Sequence, residues 1–150
     1  MEIHRLDLKA YDAIIFIELV EDTGVKNDFM EYLGVTCDNI GYIKIPIAGE
    51  HSNDYYVMTI AHYLARIMGA GLKLDQHGFP TFPTGYAEPN TSQRFPQTKA
   101  ELMGCYVPTG NFNVQRINTL DDAIIGPHTA YEMGWISHSS METAYVAPVQ

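Results

Sequence analysis

Glu50 and His51 stand side by side in the stretch AGEHSNDYY, and Tyr55 follows four residues after His51. A carboxylate, an imidazole and a phenol are side-chain types that move protons in catalysis. The stretch follows an apolar run and leads into a helical pattern. A strand end feeding a helix N-terminus is a common place for a ligand in α/β-type folds. Gly49, Ser52 and Asn53 offer donors for an anion there, but the stretch has neither a P-loop lysine nor a GxGxxG pattern. A capped strand-to-helix loop accounts for the same residues. If the chain is an enzyme, Glu50, His51 and Tyr55 are its expected catalytic group.

Other chemistry is thinner. Two ligands on one element need close, regular spacing, and the histidines at 4, 51, 62, 77, 128 and 138 provide none, so no metal is expected. Asp121 and Asp122 read as a solvated turn rather than a cation site. Cys37 and Cys105 are far apart and form no CxxC, which suits two free thiols in a reducing compartment. Cys105, in MGCYVP, has no base beside it in sequence and reads as a core strand cysteine. There is no GxSxG elbow, and no cofactor is implied.

The elements that would position these groups lie mostly in residues 1–76. The apolar run within residues 11–22 reads as a central strand buried on both faces. Residues 27–35 read as a short helix capped by Asn27. Residues 39–49 read as a strand whose far end Pro46 pushes to a sheet edge. A long helix then begins at Ser52 or Asn53 and stops at Gly69 or Gly71. Its apolar stripe is Tyr56, Val57, Ile60, Ala61, Leu64, Ile67 and Met68, with His62 and Arg66 on the opposite, wet face. LKLDQ reads as a further short strand. The expected fold class is α+β, a small two-layer sandwich with a β-α-β-α-β core, in a single domain of 1–150.

The rest of the chain has another character. Of its charged side chains, 18 fall in residues 1–76 and 9 in residues 77–150. Residues 77–98, HGFPTFPTGYAEPNTSQRFPQT, hold four of the eight prolines and four aromatics, with only Glu88 and Arg94 charged. A structureless stretch of 22 residues in a compact domain tends to be functional or disordered. Disordered chains lack aromatics, whereas this one carries Phe79, Phe82, Tyr86 and Phe95. Proline lowers the entropy lost on docking, and aromatics are enriched in interface cores. The stretch is therefore expected to dock as an arm, on its own core or on a neighbouring subunit. Beyond it, residues 99–150 read as two strands joined by a turn at residues 108–110, then a β-rich, extended tail on which Trp135 is an anchor.

GYAEPNTSQRF, then KAELMGCY and NF, is similar to the end of the phage enzymes that degrade S-adenosylmethionine to defeat restriction. The resemblance covers roughly 35 residues. It implies a trimer of α/β sandwiches with active sites between subunits. Members keep a tyrosine in the loop after the second strand and a glutamate soon after it. Here Glu50 and Tyr55 stand in the opposite order, and the tail from Asn118 has no counterpart.

The net charge of −9 argues against a phosphate-backbone binder, which needs a basic face. The acids are spread along the chain, which disfavours an inhibitor mimicking nucleic acid. The N-terminal apolar run is short and interrupted by acids, so neither a signal peptide nor a membrane span is expected. The sequence thus points first to a non-enzymatic oligomeric assembly protein, of the kind found in virus particles and their tails. Its subunits would meet through Phe79, Phe82, Tyr86, Phe95 and Trp135, in the cytoplasm or in a virion. The alternative is a small oligomeric enzyme acting on S-adenosylmethionine through Glu50, His51 and Tyr55.

Overall fold

The structure, a computed structural model, describes residues 14–20, 32–37, 40–46, 52–117 and 119–146. It is of mixed α+β class. Its contacts divide it into two compact units, Met1–His51 and Ser52–Gln150. The boundary falls just ahead of the long helix, so the helix belongs with the second half of the chain.

Among the described residues, the first unit holds a three-stranded sheet in the order β1-β3-β2, with β1 at Ile14–Val20, β2 at Tyr32–Cys37 and β3 at Ile40–Pro46. β3 is the central strand, parallel to β1 and antiparallel to β2. Two expectations are corrected here. Residues 32–35 were to close a helix, and they run instead as β2. The β-branched pair Val35-Thr36 beside Tyr32 favours a pleated surface, and pairing to β3 fixes it. The apolar run of β1 was to be a central strand. It lies at the sheet edge, with Phe16, Ile17 and Leu19 exposed. Among the residues of this unit whose burial is described, Ile43 and Ile45 on β3 are fully buried and alternate with Lys44, as strand side chains alternate between the two faces of a sheet.

The second unit begins with α1, Asn53–Ile67. Ser52 is its N-cap, its hydroxyl accepting from the Tyr55 N–H at 3.3 Å. At the other end Gly69 takes φ +105°, the left-handed conformation that glycine adopts without penalty. Its N–H donates to Arg66 and that of Ala70 to Ala65, which closes the helix in a Schellman motif.

The buried face of α1 differs from the expected stripe. Met58, His62, Ala65 and Ile67 are buried, whereas Val57 is exposed. His62, expected on the wet face, points into the core. Ala65 packs with Ala70, Leu102 and Met103, and Met58 packs with Ala100 and Ile117.

Short strands complete this core. β4 (Ala100–Glu101) pairs in parallel with β7 (Ala123–Ile124). β5 (Tyr106–Gly110) and β6 (Asn113–Arg116) form a hairpin. The hairpin turn sits at Asn111-Phe112, not at residues 108–110, because the ladder continues to the Gly110–Asn113 pair. LKLDQ contributes one bridge, Leu74 to Pro80, rather than a strand. The tail is helical where strands and extended chain were expected, with α2 at Pro127–Glu132 and α3 at His138–Val146. Pro127 suits the first turn of α2, where its missing N–H costs nothing. Among the described residues, no helix is long and apolar enough to cross a membrane.

Candidate functional site

The proline-rich stretch folds onto its own unit by its inner face. Tyr86 is buried and bridges to Ala100. Gln97 is buried as well, and its amide closes the stretch on itself. Its Oε1 accepts from the Glu88 N–H at 2.7 Å, and its Nε2 donates to the carbonyls of Glu88 and Arg94. Glu88 then accepts from the Thr98 N–H and hydroxyl. Asn90 donates to the Ala144 carbonyl, which fastens the loop to α3. The peptides preceding Pro83 and Pro96 are both cis.

This folding gathers Phe82, Tyr86 and Phe95, which the sequence spreads over 14 residues. The Phe82 and Tyr86 rings meet edge-on at 5.2 Å, and those of Tyr86 and Phe95 lie 6.0 Å apart. The Arg94 guanidinium sits over all three rings, at 4.3 Å from the Phe82 centroid, 5.1 Å from Tyr86 and 5.3 Å from Phe95. It also donates to the Tyr86 hydroxyl at 3.3 Å. Cation–π attraction of this kind holds an exposed arginine in one orientation. Arg94 is the cationic member that sequence reasoning missed. Its signal was available, since it is the only cation in residues 77–98.

Beside this cluster opens a cleft of about 320 Å³. Phe79 and Phe112 form a second aromatic wall, edge-on at 6.2 Å, with Pro80 and Pro108 also in the lining. Phe112 comes from the β5–β6 turn, and no local signal marks it as a neighbour of residues 79–94. Phe82 is half exposed and Phe112 is 80% exposed. The one acid in the lining, Asp75, accepts from the His77 and Phe79 N–H groups. The site offers a guanidinium braced by rings and a large apolar surface, which suits docking.

The other expected residues lie apart from it. Glu50 and His51 fall outside the described residues. Tyr55 lies in the first turn of α1, where its hydroxyl accepts from Arg116 at 3.1 Å. Trp135 is exposed on the connection between α2 and α3, outside the cleft lining.

A second constellation surrounds Cys105. The thiol is not on a strand. It occupies the turn between β4 and β5 at φ +58°, a conformation uncommon for a residue with a side chain. Its Sγ lies 3.2 Å from His62 Nδ1, so a base absent from its sequence neighbourhood is supplied by α1. Burial pushes the thiol up to about 11, and the nearby Glu101 charge adds to this. Burial likewise lowers His62, against its hydrogen bond to Leu102. The pair is therefore a neutral thiol beside a neutral imidazole, and the nitrogen that faces the thiol, Nδ1, donates to the Leu102 carbonyl and so is not placed to take the thiol's proton.

Beneath it, Glu101 is wholly buried. Its carboxylate accepts from the Met103, Gly104 and Gly126 N–H groups and from the Thr129 hydroxyl. Burial raises its pKa, against the Thr129, Gly126 and Met103 donors and the Lys73 charge. Lys73, also buried, pairs with Glu132, which accepts from the Gly71 N–H as well. These acids brace the unit. Among the described residues, no three His, Cys, Asp or Glu side chains gather where they could hold a metal ion.

No family model, no curated protein and no solved structure matches this chain.

Proposed function

We propose that this chain is a non-enzymatic assembly protein whose subunits meet at the aromatic cleft. The observation that carries this reading is the division of the proline-rich stretch into two faces. Its inner face is pinned by Tyr86 and Gln97. Its outer face leaves Phe82 and Arg94 in solvent at the cleft, where Phe112 of the β5–β6 turn joins them. A prefolded aromatic surface loses little entropy on docking, and exposed apolar patches on soluble proteins commonly mark interaction sites. The neutral Cys105–His62 pair favours a binding role over covalent catalysis.

Native mass spectrometry over a concentration series tests the proposal. The wild-type chain is expected to form oligomers. The Phe82→Ser/Phe112→Ser variant is expected to shift to monomer with an unchanged circular dichroism spectrum. A wild-type chain that stays monomeric throughout overturns the reading.

A further inference from the structure

Resting on the assembly reading, we infer that the cleft around Arg94 of one chain takes residues 120–125 of a second copy, with Asp121 of that copy paired to Arg94. Among the described residues Arg94 pairs with no carboxylate, and of its five N–H donors one is committed, to Tyr86. The rings already fix its position, so binding an anion there costs little further ordering.

The matching surface lies elsewhere on the same unit. Leu120, Ile124 and Ile125 are exposed at 39%, 37% and 39%. Leu120 opens the short 3-10 turn Leu120–Asp122, and Ile124 and Ile125 follow it. The two acids of that turn differ. Asp122 accepts from the Thr119 hydroxyl at 3.1 Å. Asp121 has no side-chain partner among the described residues, and the Lys99 ammonium donates to its carbonyl oxygen instead. One surface thus presents an unpaired guanidinium among exposed aromatics, and the other an unpaired carboxylate among exposed aliphatics. No residue of 120–125 lines the cleft, so the two surfaces do not meet within one chain.

Pairing them between copies buries apolar surface around one ion pair, the arrangement of a hydrophobic interface centre with a fixed register. It also gives each copy one donor face and one acceptor face. Such a head-to-tail contact closes into a ring or extends as a filament.

Charge exchange tests this, read by native mass spectrometry beside the wild-type chain. Arg94→Glu and Asp121→Lys are each expected to weaken association at least about tenfold, the loss of one charge-assisted contact. The double variant R94E/D121K, and an equal mixture of the two single variants, are expected to reassemble. Glu142→Lys makes the same change in net charge as Asp121→Lys, on exposed α3, and is expected to leave assembly intact. Circular dichroism checks that each variant is folded. If the wild-type chain assembles and Asp121→Lys assembles as well, or if the double variant stays dissociated, the head-to-tail contact is wrong while the assembly reading stands. If the wild-type chain is monomeric, both fall.

Discussion

His62 Nδ1 lies within hydrogen-bonding distance of two atoms, the Leu102 carbonyl at 3.1 Å and Cys105 Sγ at 3.2 Å. A carbonyl only accepts, so Nδ1 is assigned the ring hydrogen, and the imidazole joins α1 to the turn after β4 as a neutral donor.

The first consequence is an inert thiol. With its pKa pushed up to about 11, Cys105 carries about a hundredfold less thiolate at pH 8 than a thiol at the ordinary 9.0. Iodoacetamide at pH 8 is expected to leave Cys105 unmodified in the native chain and to label it in denaturant. Peptide mass spectrometry reads the difference. Rapid native labelling would contradict the neutral pair.

The second consequence is acid sensitivity. Burial holds the His62 pKa below its ordinary 6.5 in the folded chain. The unfolded chain therefore binds the proton first as pH falls. The stability that His62 contributes is complete above pH 6.5 and is lost progressively below it, down to the folded pKa. Urea midpoints at pH 7.5 and pH 5.5 should show this loss, and His62→Leu should reduce it.

Glu101 makes the strongest claim on stability. Glu101→Ala leaves the Met103 N–H, the Gly126 N–H and the Thr129 hydroxyl without their acceptor, while the Gly104 N–H keeps the Glu101 backbone carbonyl. The expected cost is at least about 3 kcal/mol, since each buried unsatisfied donor costs about 1–3 kcal/mol. Thr129→Val removes one donor and should cost less, about 1 kcal/mol. Thermal and urea denaturation measure both, and a near-neutral Glu101→Ala would show that the carboxylate is dispensable.

Two glycines make a fourth prediction. A Cβ on Gly85 would stand 2.5 Å from the Lys73 carbonyl oxygen, and one on Gly104 would stand 2.8 Å from that of Gly85. Both obstacles are backbone and cannot swing aside. Gly85→Ala and Gly104→Ala should each cost about 1–3 kcal/mol, the range for overpacking. Midpoints of thermal unfolding check this.

Local signals in the sequence placed α1, narrowing its cap to Ser52 or Asn53 and its stop to Gly69 or Gly71, because capping and left-handed glycine act over a few residues; the structure selects Ser52 and Gly69. They also placed β3 and the aromatic content of the site. What they missed depended on distant partners. His62 looked like a wet-face residue because its acceptor, Leu102, lies 40 residues away. The β1 run looked central because hydrophobic content was read as burial, while strand order is set by pairing. Residues 32–35 looked helical because a short apolar run carries no decisive period. The tail carried its helix signal in Pro127, which composition alone obscured. The cleft itself was half legible. Phe79, Phe82, Tyr86 and Phe95 came from one conspicuous stretch, whereas Phe112 arrives through a hairpin.

The carboxylate of Glu101 also sets an order of events during synthesis. The ribosome delivers Glu101 25 residues before Gly126 and 28 residues before Thr129. Until those arrive, two of its four donors do not exist, and the side chain is better left ionised in water than taken into an incomplete pocket. Closure of β4 against β7 therefore waits for the start of α2, and Lys73 waits longer still, 59 residues, for Glu132. These two closing contacts of the second unit therefore form only after residues 126–132 have been made.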